Sequence, residues 1–182
     1  MEATKKRETC EERIQSELDD RLTDIKALFG EIEAEDVVFD EKRGEGKGEA
    51  TCGPLEASYS PADYDDEEER GEAVIEMLQD AANEQRYEYG LCADYVSAGT
   101  FDDDGPGYFR YQLSWGGPSD EFRFFLDADQ TCYKVTYCFQ DWFDGAERVL
   151  YGTDKDLLLS VFADFAEMGV VEAEIEKARD DS

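Results

Sequence analysis

Apolar residues recur along the chain with two different periods, and the switches between them divide it into elements. In residues 7–31, Ile14, Leu18, Leu22, Ile25, Leu28 and Phe29 return every three or four positions, which predicts an amphipathic helix. Gly30 stands at its end, where a left-handed cap is common. Residues 72–88 repeat the pattern with Val74, Ile75, Leu78, Ala81 and Ala82. Pro61 suits a first helical turn, and the acids of residues 63–69 suit the positive end of a helix. Gly71 weakens the continuity of that segment. Farther on, Leu157, Leu158, Val161, Phe162 and Phe165 make a third stripe. Thr153 is its expected N-cap with Asp156 at the capping-box distance, Gly169 ends or bends it, and residues 170–178 suit one more short helix.

The period falls to two between these helices. Residues 108–115 set Phe109, Tyr111, Leu113 and Trp115 against Tyr108, Arg110, Gln112 and Ser114. Residues 121–127 set Phe122, Phe124 and Leu126 against Arg123 and Phe125, and residues 132–139 put Tyr133, Val135, Tyr137 and Phe139 on one face. Turn residues at 116–120 and 128–130 join the three runs, as in an antiparallel meander. A fourth short strand is expected at 146–151. Residues 89–101 are strand-like, and residues 37–39 suit a short strand. Residues 40–54, charged and carrying Gly44, Gly46, Gly48 and Gly53, read as a mobile loop. The expected fold is α+β: an antiparallel β-meander of three to four strands, helices packed on one face, and an N-terminal amphipathic helix. Residues 1–60 would form an N-terminal helix and Gly-rich loop, and residues 61–182 the core.

Charge changes this picture more than composition does. The 182 residues hold 48 acids against 18 bases and no histidine, a net charge of -30. Residues 61–106 carry 15 acids with only Arg70 and Arg86 opposing them, whereas residues 107–152 have a net charge of -3. A compact chain this acidic repels itself. Aromatics at 13% nonetheless supply a core that a disordered acidic chain lacks. Residues 1–7 are polar and no apolar stretch follows them, which argues against a signal peptide. No apolar run approaches the roughly 20 residues of a membrane span, and anionic lipid repels such a surface. A cytoplasmic protein without a membrane partner is expected. The five cysteines, Cys10, Cys52, Cys92, Cys132 and Cys138, show neither zinc spacing nor a disulfide framework, and core filling is their expected role.

Most enzyme chemistry has no carrier here. Without histidine there is no Ser-His or Cys-His nucleophile and no His-ligated metal. Asp127 and Asp129 open like a calcium loop, which then fails at Cys132 and Cys138. Asp141 and Asp144 bracket Trp142 and Phe143, as an acid pair, a magnesium site, or a tight turn beside a buried tryptophan. No nucleophile, base and electrophile assemble. The expectation is no enzyme, no cofactor and no metal.

What remains is the acidic surface. Carboxylates bind arginine bidentately, as phosphates do, and a rigid row of them can occupy a groove built for nucleic acid. Glu69, Glu72, Glu76 and Asp80 recur at helical spacing, so one face carries them all. The expected contact set is Asp63, Asp65, Asp66, Glu67, Glu68, Glu69, Glu72, Glu76 and Asp80, with Asp102, Asp103 and Asp104 as a second patch. The partner would be a host DNA- or RNA-binding defence protein with a basic groove, and the chain itself would bind no nucleic acid. Two alternatives stay open. The acidity reflects solubility or adaptation to salt, or the aromatic meander is the binding surface of an accessory protein. Trp115 and Trp142 belong to the core on one view and to an exposed hot spot on the other.

Two stretches carry a resemblance. YFRYQLSWGGPSDEFRFFL at 108–126 and DWFDGA at 141–146 resemble a group of small acidic proteins carried by phages and plasmids and associated with anti-defence roles. The resemblance covers residues 89–169. It implies a mobile-element origin and a shared structural core, and it supplies no catalytic residues. More distantly, the charge pattern is similar to that of DNA-mimic inhibitors of restriction enzymes and CRISPR complexes.

Overall fold

A computed structural model describes residues 8–41, 47–101 and 105–180. Its helices are α1 (Cys10–Phe29), α2 (Glu67–Gln85), α3 (Gly152–Glu167) and α4 (Val170–Asp180). Its strands are β1 (Val38–Glu41), β2 (Gly48–Cys52), β3 (Leu55–Tyr59), β4 (Cys92–Val96), β5 (Tyr108–Ser114), β6 (Ser119–Leu126), β7 (Cys132–Asp141) and β8 (Asp144–Val149). All the pairings are antiparallel. The class is α+β, but the described residues form two sheets, of three strands (β1-β2-β3) and five (β4-β5-β6-β7-β8). The meander of three to four strands is thus too narrow an expectation. The chain divides into two compact units, Asp20–Tyr89 and the described residues on either side of it.

In the five-stranded unit, the period-two pattern does what alternation requires. Phe109, Tyr111, Phe122, Phe124, Val135, Tyr137 and Phe139 are all buried and share one sheet face by register. Helix α3 closes that face. Phe162 stacks on Phe124 at 5.3 Å and meets Phe109 edge-on at 5.8 Å, while Phe165 meets Tyr111 at 5.1 Å. The start of α1 lies on the same face, with the Arg13 guanidinium 4.8 Å above the Phe139 ring. Thr153 does not cap α3. The helix begins one residue earlier, at Gly152, and its N-cap Tyr151 makes no side-chain cap. Gly169 ends α3 in the left-handed region (φ 75°).

The second face of this sheet is not purely polar. Tyr108, Gln112, Phe125, Thr136 and Cys138 are buried on it, beside Arg110 paired bidentately with Asp94 and Arg123 paired with Glu121 and Glu147. Burial holds the Tyr108 hydroxyl up to about 12 and the Cys132 thiol up to about 11. The unfolded chain releases these protons first, near the usual values of 10 and 9. Their contribution to stability is therefore whole below pH 9 and is lost as pH rises toward 12. Thermal melts should hold level from pH 7 to 8.5 and fall steadily above pH 9.

The smaller unit is where sequence and structure part. Residues 40–54 were expected as loop; 42–46 lie outside the described residues, but 48–52 form β2, which with β3 alternates between buried and outward positions. Gly48, Ala50, Cys52, Leu55, Ala57 and Tyr59 face inward, with Gly53 (φ 53°) turning the hairpin. They pack with Leu28 of α1 and with Val74, Leu78 and Ala82 of α2 in one core. Asp66 caps α2, accepting from the backbone N–H of Glu68 and Glu69. The helix then runs unbroken through Gly71, whose φ is not positive. A Cβ there would meet nothing within 4 Å. Glycine inside a helix is disfavoured against alanine by about 0.5–1 kcal/mol. Gly71→Ala should therefore raise unfolding stability by about that amount, read as a higher urea midpoint.

Candidate functional site: an acidic ridge and an aromatic tip

The unit Asp20–Tyr89 carries 22 acids against 7 bases. Its net charge of -15 is half the chain's total in 70 of 182 residues. Helix α2 orders part of that surplus. Its buried side is Val74, Leu78 and Ala82, and Glu69, Glu72, Glu76 and Asp80 lie opposite, all exposed. The ends of this row are eleven positions apart, about 16 Å at 1.5 Å per residue. Four carboxylates over that length give one charge per about 5 Å. One nucleic-acid strand presents one per about 3.4 Å along its axis and a duplex one per about 1.7 Å. The row therefore matches a single backbone better than a duplex. Glu84, exposed and four residues beyond Asp80, continues it. The same spacing that marks the other four would have found Glu84.

The remaining expected contact residues are less uniform. Asp63 is exposed in a short 3-10 turn, Pro61–Asp63. Asp66 is exposed but committed to the helix cap. Glu69 also accepts a hydrogen bond from the Asp65 backbone N–H (2.8 Å), so it braces the helix start as well as carrying charge. Glu67 and Glu68 flank a groove at that start, together with Glu72. Asp102, Asp103 and Asp104 lie outside the described residues. The three-stranded sheet adds acids not foreseen, with Asp40, Glu49 and Glu56 exposed on the face turned away from α2.

A second surface lies in the other unit. Trp115 is 77% exposed, Trp142 73%, and Phe143 fully so. The expectation of a buried tryptophan beside the turn is corrected here. Strand β5 ends at Ser114 after a register irregularity, so the alternation that placed Trp115 inward stops one residue short of it. Trp142 and Phe143 form the β7–β8 hairpin tip, with Trp142 at φ 61°, a conformation that is strained for a bulky residue. The Trp142 indole lies against Gly117, where an added Cβ would come within 2.8 Å of the ring nitrogen. The two turns therefore meet at one end of the sheet.

Structure accounts for the carboxylates around this tip. Asp141 is buried and accepts from Arg13 Nη1 at 2.7 Å, and Arg13 also pairs with Glu17. Asp144 accepts the Cys10 backbone N–H at 2.7 Å and so caps α1. The Arg148 guanidinium grips Glu11 with two hydrogen bonds and holds its carboxyl below the usual range. Asp120, also buried, accepts from the Tyr137 hydroxyl at 2.8 Å and from Ser114. Among the described residues, no three acid or cysteine side chains gather as metal ligands, and no helix is long and apolar enough to cross a membrane.

No protein-family model matches the chain, and no curated protein or solved structure matches it.

Proposed function

We propose that this protein is a nucleic-acid decoy: an inhibitor that occupies the basic DNA or RNA channel of a host defence nucleoprotein, such as a CRISPR complex or a restriction enzyme, in the host cytoplasm. One observation carries the reading, the outward row Glu69, Glu72, Glu76 and Asp80 on α2. A helix fixes its Cβ positions at constant spacing, so the backbone order of the row exists before binding, and its charge density is nearer that of one nucleic-acid strand than that of a duplex. Lys/Arg-lined channels bind such a surface without base recognition. The resemblance of residues 108–126 and 141–146 to mobile-element proteins supports the same class of role. The test is capture of partners from host lysate at low salt, then elution. A basic nucleic-acid-binding protein released between about 50 and 200 mM salt is the expected result. Retention of partners only by high-salt-insensitive contacts speaks against the decoy.

A second reading has its own observation, the exposed tip of Trp115, Trp142 and Phe143. Tryptophan is enriched at interface hot spots, and strain at φ 61° is retained where the surroundings over-determine it. On this reading the chain is an accessory protein that binds through the tip. Trp142→Ala should then weaken partner binding by about 2 kcal/mol or more. On the decoy reading it leaves salt-sensitive binding unchanged. Calorimetry with the captured partner separates the two.

A further inference from the structure

The start of α2 holds a groove of about 420 Å³, within the range of about 300–1,000 Å³ typical of small-ligand clefts. Its floor is apolar: Phe39, 41% exposed on the edge strand β1, with Ile75 and Ala34. Its rim is anionic: Glu67, Glu68 and Glu72, all exposed. Arg70 also borders the groove, but its guanidinium lies 5.9 Å from the Tyr59 ring centroid.

Gly71 adds an independent observation. It lines the groove, it sits inside a helix that disfavours glycine, and neither its φ nor any neighbour requires glycine there. A side chain at 71 would enter the groove, so glycine leaves it open.

We propose that this groove seats an arginine side chain from the basic partner, with the guanidinium among Glu67, Glu68 and Glu72 and the methylene stem on Phe39 and Ile75. The inference rests on the decoy reading, and it names the chemistry of the anchor. Arginine fits better than lysine because its planar fork pairs with carboxylates bidentately and packs on aromatic rings. A second copy of the chain does not fit, since its own unit of 22 acids and 7 bases would meet the acidic rim.

Calorimetric titration with the peptides acetyl-GRGRGRG-amide and acetyl-GKGKGKG-amide tests the inference. The parent should prefer the arginine peptide by about tenfold. Phe39→Ala, which removes the floor without changing charge, should erase the preference. So should Gly71→Leu, which fills the groove from a helix it also stabilises, so its loss of binding cannot be blamed on unfolding. Lysine-peptide binding should stay as in the parent in both variants. Equal binding of the two peptides by the parent, or a preference that survives both substitutions, overturns the proposal. A doubling of mass in solution that Gly71→Leu abolishes also overturns it. The decoy reading fails separately, if Glu76→Lys with Asp80→Lys, outside the groove, leaves the binding of both peptides unchanged.

Discussion

Replacing Glu68, Glu69, Glu72 and Glu76 together by lysine is expected to weaken partner binding by about a thousandfold, at roughly 1 kcal/mol per reversed charge. The substitutions change local charge by eight units on one helix that is exposed at all four positions. Part of any loss could arise inside α2, because Glu68 and Glu69 stand in its first turn, where the helix dipole favours acids and disfavours lysine. The matching glutamine variant separates the effects. It removes the same carboxylates without creating repulsion, and should lose binding by an intermediate amount while far-UV circular dichroism stays native. Reversing Asp40, Glu49 and Glu56, on the other side of this unit, should do much less. If both surfaces matter equally, charge alone is at work and the ordered row is not.

Phe124→Ala is expected to cost about 4 kcal/mol, within the range for deleting a fully buried aromatic ring. Phe124 is completely buried, stacked on Phe162 and tilted against Phe109 at 6.2 Å. It sits on the central strand of the five-stranded sheet, so no neighbouring segment can collapse cheaply into the space. The urea midpoint should fall while the slope of the transition stays constant. Trp142→Ala, deleting a larger ring at the exposed tip, should change the unfolding free energy by less than about 0.5 kcal/mol. The contrast between the two aromatics measures how far burial, and not ring size, sets stability here.

The meander was legible because large residues announce parity: Phe109, Tyr111, Phe122, Phe124, Val135 and Tyr137 can all turn inward only in one register. The helices were legible for the same reason at a longer period. The three-stranded sheet obeys equally strict alternation, but its inward residues are small. Gly48, Ala50 and Ala57 carry little hydrophobic signal, and the charged residues and glycines around them imitate a loop. Trp115 misled in the opposite direction. It continues the inward parity of Leu113, yet the strand ends before it, and no property of its own side chain reports that. The cap of α3 failed because a threonine near a helix start is compatible with capping without being obliged to cap. Of the acidic ridge, the spacing on α2 was readable and its exposure followed from the opposite apolar stripe. The groove was not readable, because it needs β1 beside α2, and only the fold brings Phe39 to Gly71.

The α2 row acts as a decoy only if it takes the place of a nucleic-acid strand. The direct measurement is a titration of the captured partner with its own DNA or RNA while this protein is bound, followed by fluorescence anisotropy at several salt concentrations. Mutual exclusion is the expected result, with the apparent affinity falling linearly against the logarithm of salt. A ternary complex in which partner, nucleic acid and this protein coexist at full occupancy would contradict it.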